Sequence, residues 1–188
     1  MSDHVCPWWL GYLLANPGRK LLQRPEKILR PHLAAGMWAL DLGAGMGFFS
    51  LPLARLVGAA GKVVCVDLQA KMIAGLNRRA ARAGLAPRIE ARVCAADSLQ
   101  LGDLASRLDF ALAFAMVHEV PDPERLFAEI QAVLKPGGRL LVCEPVGHVT
   151  PDAFAATVAL ARRAGFEVVA RPRVALSHGV LLEKALAR

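Results

Sequence analysis

The chain has 188 residues, a length that fits one domain, with 55% hydrophobic residues and a formal net charge of +7 at pH 7. Much of the apolar excess is alanine, and the longest apolar run, Phe110 to Val117, is far short of the ~18 residues that a membrane span requires. The basic residues are scattered and never form a block of five, which describes a solvated basic surface rather than a nucleic-acid-binding tail.

Taken in chain order, the first 36 residues stand apart as a helical or irregular cap. They hold Trp8, Trp9 and Tyr12, and Pro7, Pro17, Pro25 and Pro31 divide them into short pieces. The apolar stretch from Val5 to Ala15 lacks the preceding Lys or Arg of a secretory signal, so it reads as part of the fold and the protein as cytoplasmic. Pro25–Leu33 is expected to be a short helix, with Gly36 as the hinge into the first strand.

Residues 37–188 read as one compact domain. Short apolar runs at Met37–Leu42, Lys62–Asp67, Ile89–Ala95, Asp109–Phe114 and Arg139–Glu144 predict buried strands. Helices are expected between them at Gly47–Leu56, Ala70–Ala83, Leu101–Leu108 and Pro123–Leu134, with Gly84 and Pro136-Gly137-Gly138 as stops. A further helix at Pro151–Ala164 precedes two last strands, Phe166–Pro172 and Val174–Lys184. Strand–helix alternation implies parallel strands joined by crossover helices, whereas the short link between the last two strands forces antiparallel pairing. The fold class is therefore α/β, a mostly parallel sheet with one antiparallel strand near its end.

In such a sheet, ligands bind beyond the carboxyl ends of the strands, where the strand order reverses. The loop after the first strand, Asp41-Leu42-Gly43-Ala44-Gly45-Met46-Gly47, is the expected cradle, because its glycines let a ligand approach the backbone closely. A dinucleotide fingerprint would need glycine at position 48, where this chain has Phe48. Asp67 ends the second strand, where an acidic side chain can accept from both ribose hydroxyls. Asp97, in Ala96-Asp97-Ser98 after the third strand, can accept from an adenine amino group. Loop, ribose acid and adenine acid at three successive strand ends describe an adenosine site.

These residues carry a family resemblance. Ala39–Ser50, ALDLGAGMGFFS, resembles motif I of the class I S-adenosylmethionine-dependent methyltransferases, and Val63–Asp67 resembles their acidic second strand. Leu134–Leu140, LKPGGRL, resembles their run before strand five, and Phe114–Asp122, FAMVHEVPD, is similar to small-molecule enzymes of the ubiquinone and menaquinone methyltransferase group. The resemblance spans roughly Gly36 to Lys184. It implies a Rossmann-like seven-stranded sheet with strand seven antiparallel and helices on both faces. It also implies S-adenosyl-L-methionine as cofactor and S-adenosyl-L-homocysteine as product. Asp41, Gly43, Ala44, Gly45 and Gly47 would then face the methionine end, with Met46, Leu68, Met72 and Ala115 as neighbours.

On the acceptor side, His118 follows the fourth strand with Glu119 beside it, and an imidazole there can accept a proton or orient an acceptor. His148 holds the equivalent place after strand five. Cys6, Trp8, Trp9 and Tyr12 are further candidates if the first segment folds over the strand ends. His4 and Cys6 supply two of the four ligands of a usual zinc site, so no metal is expected. The four cysteines, Cys6, Cys65, Cys94 and Cys143, form no C-x-x-C pair. Short loops favour a small or medium acceptor. The alternatives are an RNA methyltransferase, which only the basic charge supports, and a binding domain that no longer catalyses. No feature fixes an oligomeric state.

Overall fold

A computed structural model of the chain describes residues 23–186. Cys6, Trp8, Trp9 and Tyr12 lie outside the described residues, as does His4. The described chain runs α1 (Pro25–Leu29), β1 (Trp38–Leu42), α2 (Ser50–Leu56), β2 (Lys62–Asp67), α3 (Ala70–Arg82), β3 (Ile89–Val93), β4 (Leu108–Phe114), α4 (Pro123–Val133), β5 (Leu134–Pro145), α5 (Pro151–Arg163), β6 (Phe166–Ala170) and β7 (Ser177–Lys184). The strands form one sheet of seven in the order β3-β2-β1-β4-β5-β7-β6. The pairs from β3 to β5 are parallel, and β7 runs antiparallel between β5 and β6.

Alternation along the strands builds two cores, because successive side chains point to opposite faces. Leu40 and Leu42 of β1 join Ala111 and Ala113 of β4 beneath Phe127 of α4 and Phe154 of α5. Ala39 faces the other way, with Phe110 and Leu112, beneath Leu53 of α2 and Leu76 of α3. Helices thus cover both faces. Leu29 of α1 is fully buried in the second core, so the chain is packed into the domain before the hinge at Gly36. Among the described residues, no helix is long and apolar enough to cross a membrane.

Several elements depart from the expected bounds. The helix expected over Leu101–Leu108 is only a 3-10 turn at Gly102–Leu104. Gln100 and Ser106 flank it at φ +54° and +52°, left-handed values that no right-handed helix accommodates, and Leu108 already opens β4. The helix expected at Pro25–Leu33 is α1 followed by a 3-10 turn at Arg30–His32, since Pro31 has no N–H to continue an α-helical ladder. The first-loop helix begins at Ser50, three positions after Gly47, because the loop glycines hold positive φ through Gly47. Strand β5 begins at Leu134 rather than Arg139, through a register shift opposite Leu108–Phe110. Strand β7 begins at Ser177, since Leu176 at φ +57° leaves Val174 only an isolated bridge.

Candidate functional site

The order of strands reverses at β1, which sits between β2 and β4, and the chain leaves these strands in opposite lateral directions. A cavity of about 650 Å³ opens beyond their carboxyl ends. It lies within the usual range for small-molecule sites. Asp41, Gly43, Ala44, Gly45, Asp67, Leu68, Met72, Ala96, Asp97, Ser98 and Ala115 all line it, as do His118, Glu119 and His148. The sequence-predicted residues within the described chain therefore converge on one space, with one exception.

The exception is Gly47. At φ +84° it lies outside the cavity lining, and a Cβ there would collide with Leu76 Cδ1 of α3. Its role is the close approach of loop and helix. Gly45 differs: it holds φ +53° and a Cβ would meet no atom within 4 Å. Its backbone therefore faces open space on the cavity side.

The loop is held by Asp67. Its Oδ2 accepts the Gly45 N–H at 2.9 Å and its Oδ1 accepts the Gln69 N–H at 2.9 Å. Each oxygen retains a lone pair for a hydroxyl donor. Burial raises the Asp67 pKa, and the two backbone donors partly offset the rise. Asp41 is more extreme. It is 3% exposed, accepts the Ser50 hydroxyl at 2.5 Å, and burial pushes its pKa up to about 7 against the lowering effect of Ser50. A cationic ligand group brought beside it would favour its ionised form.

The wall after β3 is fastened from α4. Glu129 accepts the Leu99 N–H at 2.6 Å and the Ser98 hydroxyl at 3.4 Å. Asp97 stays 78% exposed at its side chain, with Oδ2 3.8 Å from the Arg125 guanidinium, so its carboxylate is available to a ligand. Glu129 carried no motif in the sequence. Its surface helix position gave no signal that it reaches back to a loop thirty residues earlier.

The acceptor side centres on His118, in the 3-10 turn Val117–Glu119. Ala115, at the end of β4, holds φ +54°, an uncommon value for a residue with a Cβ. Beyond that bend, the amides of Met116 and Val117 reach Glu144 Oε1 at 3.3 and 2.8 Å. Glu144 Oε2 pairs with His118 Nδ1. Glu144 is 1% exposed at the end of β5. Sequence reasoning placed it only in a strand; a charged residue closing the apolar run Leu140–Cys143 was the available signal. The His148 ring lies 5.7 Å from that of His118, edge-on at 75°. Glu119 Oε1 lies 4.0 Å from His118 Nε2, and burial raises the Glu119 pKa while the nearby His118 lowers it.

Among the described residues, no group of three His, Cys, Asp or Glu side chains could hold a metal ion. The donor set instead fits S-adenosylmethionine. Carboxylates at two strand ends suit hydroxyl and cationic groups, Leu68, Met72 and Leu99 offer apolar walls, and the open backbone of Gly45 leaves room beside the loop.

Residues 33–170 match the family described as "Methyltransferase domain". The ubiquinone/menaquinone biosynthesis C-methyltransferase UbiE of Hahella chejuensis is 36% identical over 144 residues, covering 75% of this chain and 57% of that protein. An arsenite methyltransferase of Aquipseudomonas alcaligenes is 33% identical over 141 residues, covering 71% of this chain and 40% of that protein. A SAM-dependent methyltransferase from Aquifex aeolicus superposes with a TM-score of 0.86 at 25% identity, covering 96% of this chain and 100% of that one. The chain thus spans about half the length of the UbiE relatives it matches, 43% of one from Cellvibrio japonicus and 57% of that from Hahella chejuensis.

Proposed function

The chain belongs to the methyltransferase domain family, and from that premise we propose that it transfers a methyl group from S-adenosylmethionine to a small or medium-sized acceptor. The observation that carries this reading is the position of Asp67. At the end of β2 it ties the glycine loop to its own turn while lining the cavity beside Asp41. Asp67 would hold the ribose hydroxyls, the 96–98 turn the adenine, and Asp41 with residues 43–45 the methionine end.

S-adenosylmethionine supplies an already activated electrophilic methyl group. The protein's work is then to align the acceptor and exclude water. His118, Glu119 and His148 form the polar corner of the cavity, and Met116, Val120 and Pro121 form its apolar side. His118 serves as the catalytic group, receiving or orienting an acceptor. Cys6, Trp8, Trp9 and Tyr12 belong to the cap segment of residues 1–36, which would complete the acceptor side. The free thiols of Cys65, Cys94 and Cys143 support a cytoplasmic location.

The test is incubation of the protein with S-adenosylmethionine and a cellular metabolite pool, followed by detection of S-adenosylhomocysteine. Product is expected. Cofactor binding without product from broad pools would instead support a binding domain, and salt-sensitive RNA binding an RNA methyltransferase. Asp67→Ala should weaken S-adenosylmethionine binding about ten- to a hundred-fold, since a hydrogen bond to a charged group contributes about 1.5–3 kcal/mol. Unchanged affinity by calorimetry would remove the ribose assignment. His118→Ala should lower turnover much more than cofactor affinity, and equal loss of both would place it elsewhere.

A further inference from the structure

Glu144 has two oxygens and three donors. Oε1 takes the amides of Met116 and Val117, at 3.3 and 2.8 Å, and Oε2 takes His118 Nδ1. The carboxylate is buried and does not line the cavity, whereas the imidazole does. A carboxylate only accepts, so the ring nitrogen facing it must carry the proton. We propose that Glu144 is a positioning residue that fixes His118 as the Nδ1–H tautomer. This leaves the Nε2 lone pair as a general base for an acceptor that carries a removable proton on oxygen, nitrogen or sulfur. The proposal rests on the methyl-transfer reading for its chemistry, but its geometry stands on residues of this chain.

Two further features make the arrangement specific. The bend at Ala115 turns the backbone so that consecutive amides converge on Glu144, which holds the His118 turn and the His118 ring through one side chain. The charged and titratable groups around Nε2 are also arranged for a proton. Glu119 from the same turn stands 4.0 Å away, His148 from the loop after β5 stands edge-on, and Asp67 across the cavity adds its negative field at Glu119. A proton taken up at Nε2 therefore meets the Glu119 carboxylate on the cavity side of the ring.

The step balances. The acceptor X–H gives its proton to Nε2 and an electron pair to the methyl carbon, so that an X–C bond forms. The pair of the broken carbon–sulfur bond goes to the sulfur, which becomes neutral. The imidazolium then releases its proton to solvent past Glu119. An acceptor with no proton to lose would make no use of a base held in this way.

Glu144→Gln reverses the hydrogen-bonding demand on the ring. Its single oxygen would be kept by the two backbone amides, so its NH₂ would face Nδ1. Two donors cannot share that contact, and the ring proton would move to Nε2. The experiment is long-range ¹H–¹⁵N correlation on the histidine-labelled full chain at alkaline pH, with His118 assigned by loss of its signals in His118→Gln. Wild type is expected to show the proton on Nδ1, and Glu144→Gln to show it on Nε2 with S-adenosylhomocysteine affinity unchanged by calorimetry. A wild-type ring protonated on Nε2, or no change of tautomer in Glu144→Gln, overturns the proposal. Should the variant fail to fold, the wild-type tautomer alone decides. Mass spectrometry of the pool products supplies the second arm. A methyl on a former O–H, N–H or S–H supports the base, and one on a thioether, a tertiary amine or an arsenic(III) centre overturns it. Failure of wild type to bind S-adenosylmethionine would sink the methyl-transfer reading while leaving the tautomer result intact.

Discussion

At the scale of single residues, the site is a set of carboxylates whose surroundings differ. Asp41 is buried against Ser50, and its pKa rises from an ordinary 3.8 to about 7 through burial, with Asp67 adding repulsion. The folded state therefore keeps a proton on Asp41 that the unfolded chain gives up. The stability this confers is fully present below about pH 4 and is lost as pH rises through about 7. In Asp41→Asn this slope disappears. Urea midpoints taken at pH 5 and pH 8 should fall for the cofactor-free wild type and change less for the variant, and parallel falls would show that Asp41 is already ionised in the fold. Asp67 and Asp97 were legible as cavity residues because the first closes a strand-like run and the second follows one, and a strand end in a parallel sheet is where a ligand sits. Glu144 was not legible as a partner of His118. Their pairing depends on β4 and β5 lying side by side and on the left-handed bend at Ala115, and no spacing rule encodes either.

At the scale of elements, α4 links the two halves of the cavity. Asp122 caps its N-terminus by accepting the Arg125 N–H at 3.0 Å, and Pro123 occupies its first turn, where a missing N–H costs nothing. Farther along, Glu129 reaches the Leu99 and Ser98 donors and so holds the wall after β3. The two contacts predict different phenotypes. Asp122→Ala should cost about 1 kcal/mol of stability, as lost caps do, and leave cofactor affinity alone. Glu129→Ala should destabilise by a similar about 1–2 kcal/mol and also weaken S-adenosylhomocysteine binding several-fold, because the turn bearing Asp97 loosens. Thermal melts with calorimetry on the pair distinguish them, and equal affinities would separate Glu129 from the ligand wall. The elements themselves were mostly legible, since buried parallel strands read as continuous apolar runs. The misread stretch, Leu101–Leu108, has helix-like apolar spacing, but the left-handed Gln100 and Ser106 confine it to a 3-10 turn. Left-handed φ at residues other than glycine leaves little trace in sequence.

At the scale of the whole molecule, the sheet order decides where ligands can enter. Strand β1 between β2 and β4 opens a crevice at one edge, and α1 packs on α2 along the face that bears Asp41. Gln23, the first described residue, lines the cavity. Leu29, six positions later, is fully buried. The described fold is thus anchored from α1 onward, and the proposed role of Cys6, Trp8, Trp9 and Tyr12 on the acceptor side can be tested by shortening the chain. A chain that starts at Gln23 should unfold cooperatively and bind S-adenosylhomocysteine with nearly unchanged affinity. It should also lose most transfer to a metabolite pool, because water and acceptor would no longer be controlled at the open side. Calorimetry and product detection on the same preparation provide the readout. Full transfer by the shortened chain would remove residues 1–22 from the acceptor site. Loss of cofactor binding with a normal melt would instead move them to the cofactor side, and His118, Glu119 and His148 would then have to define the acceptor pocket without them.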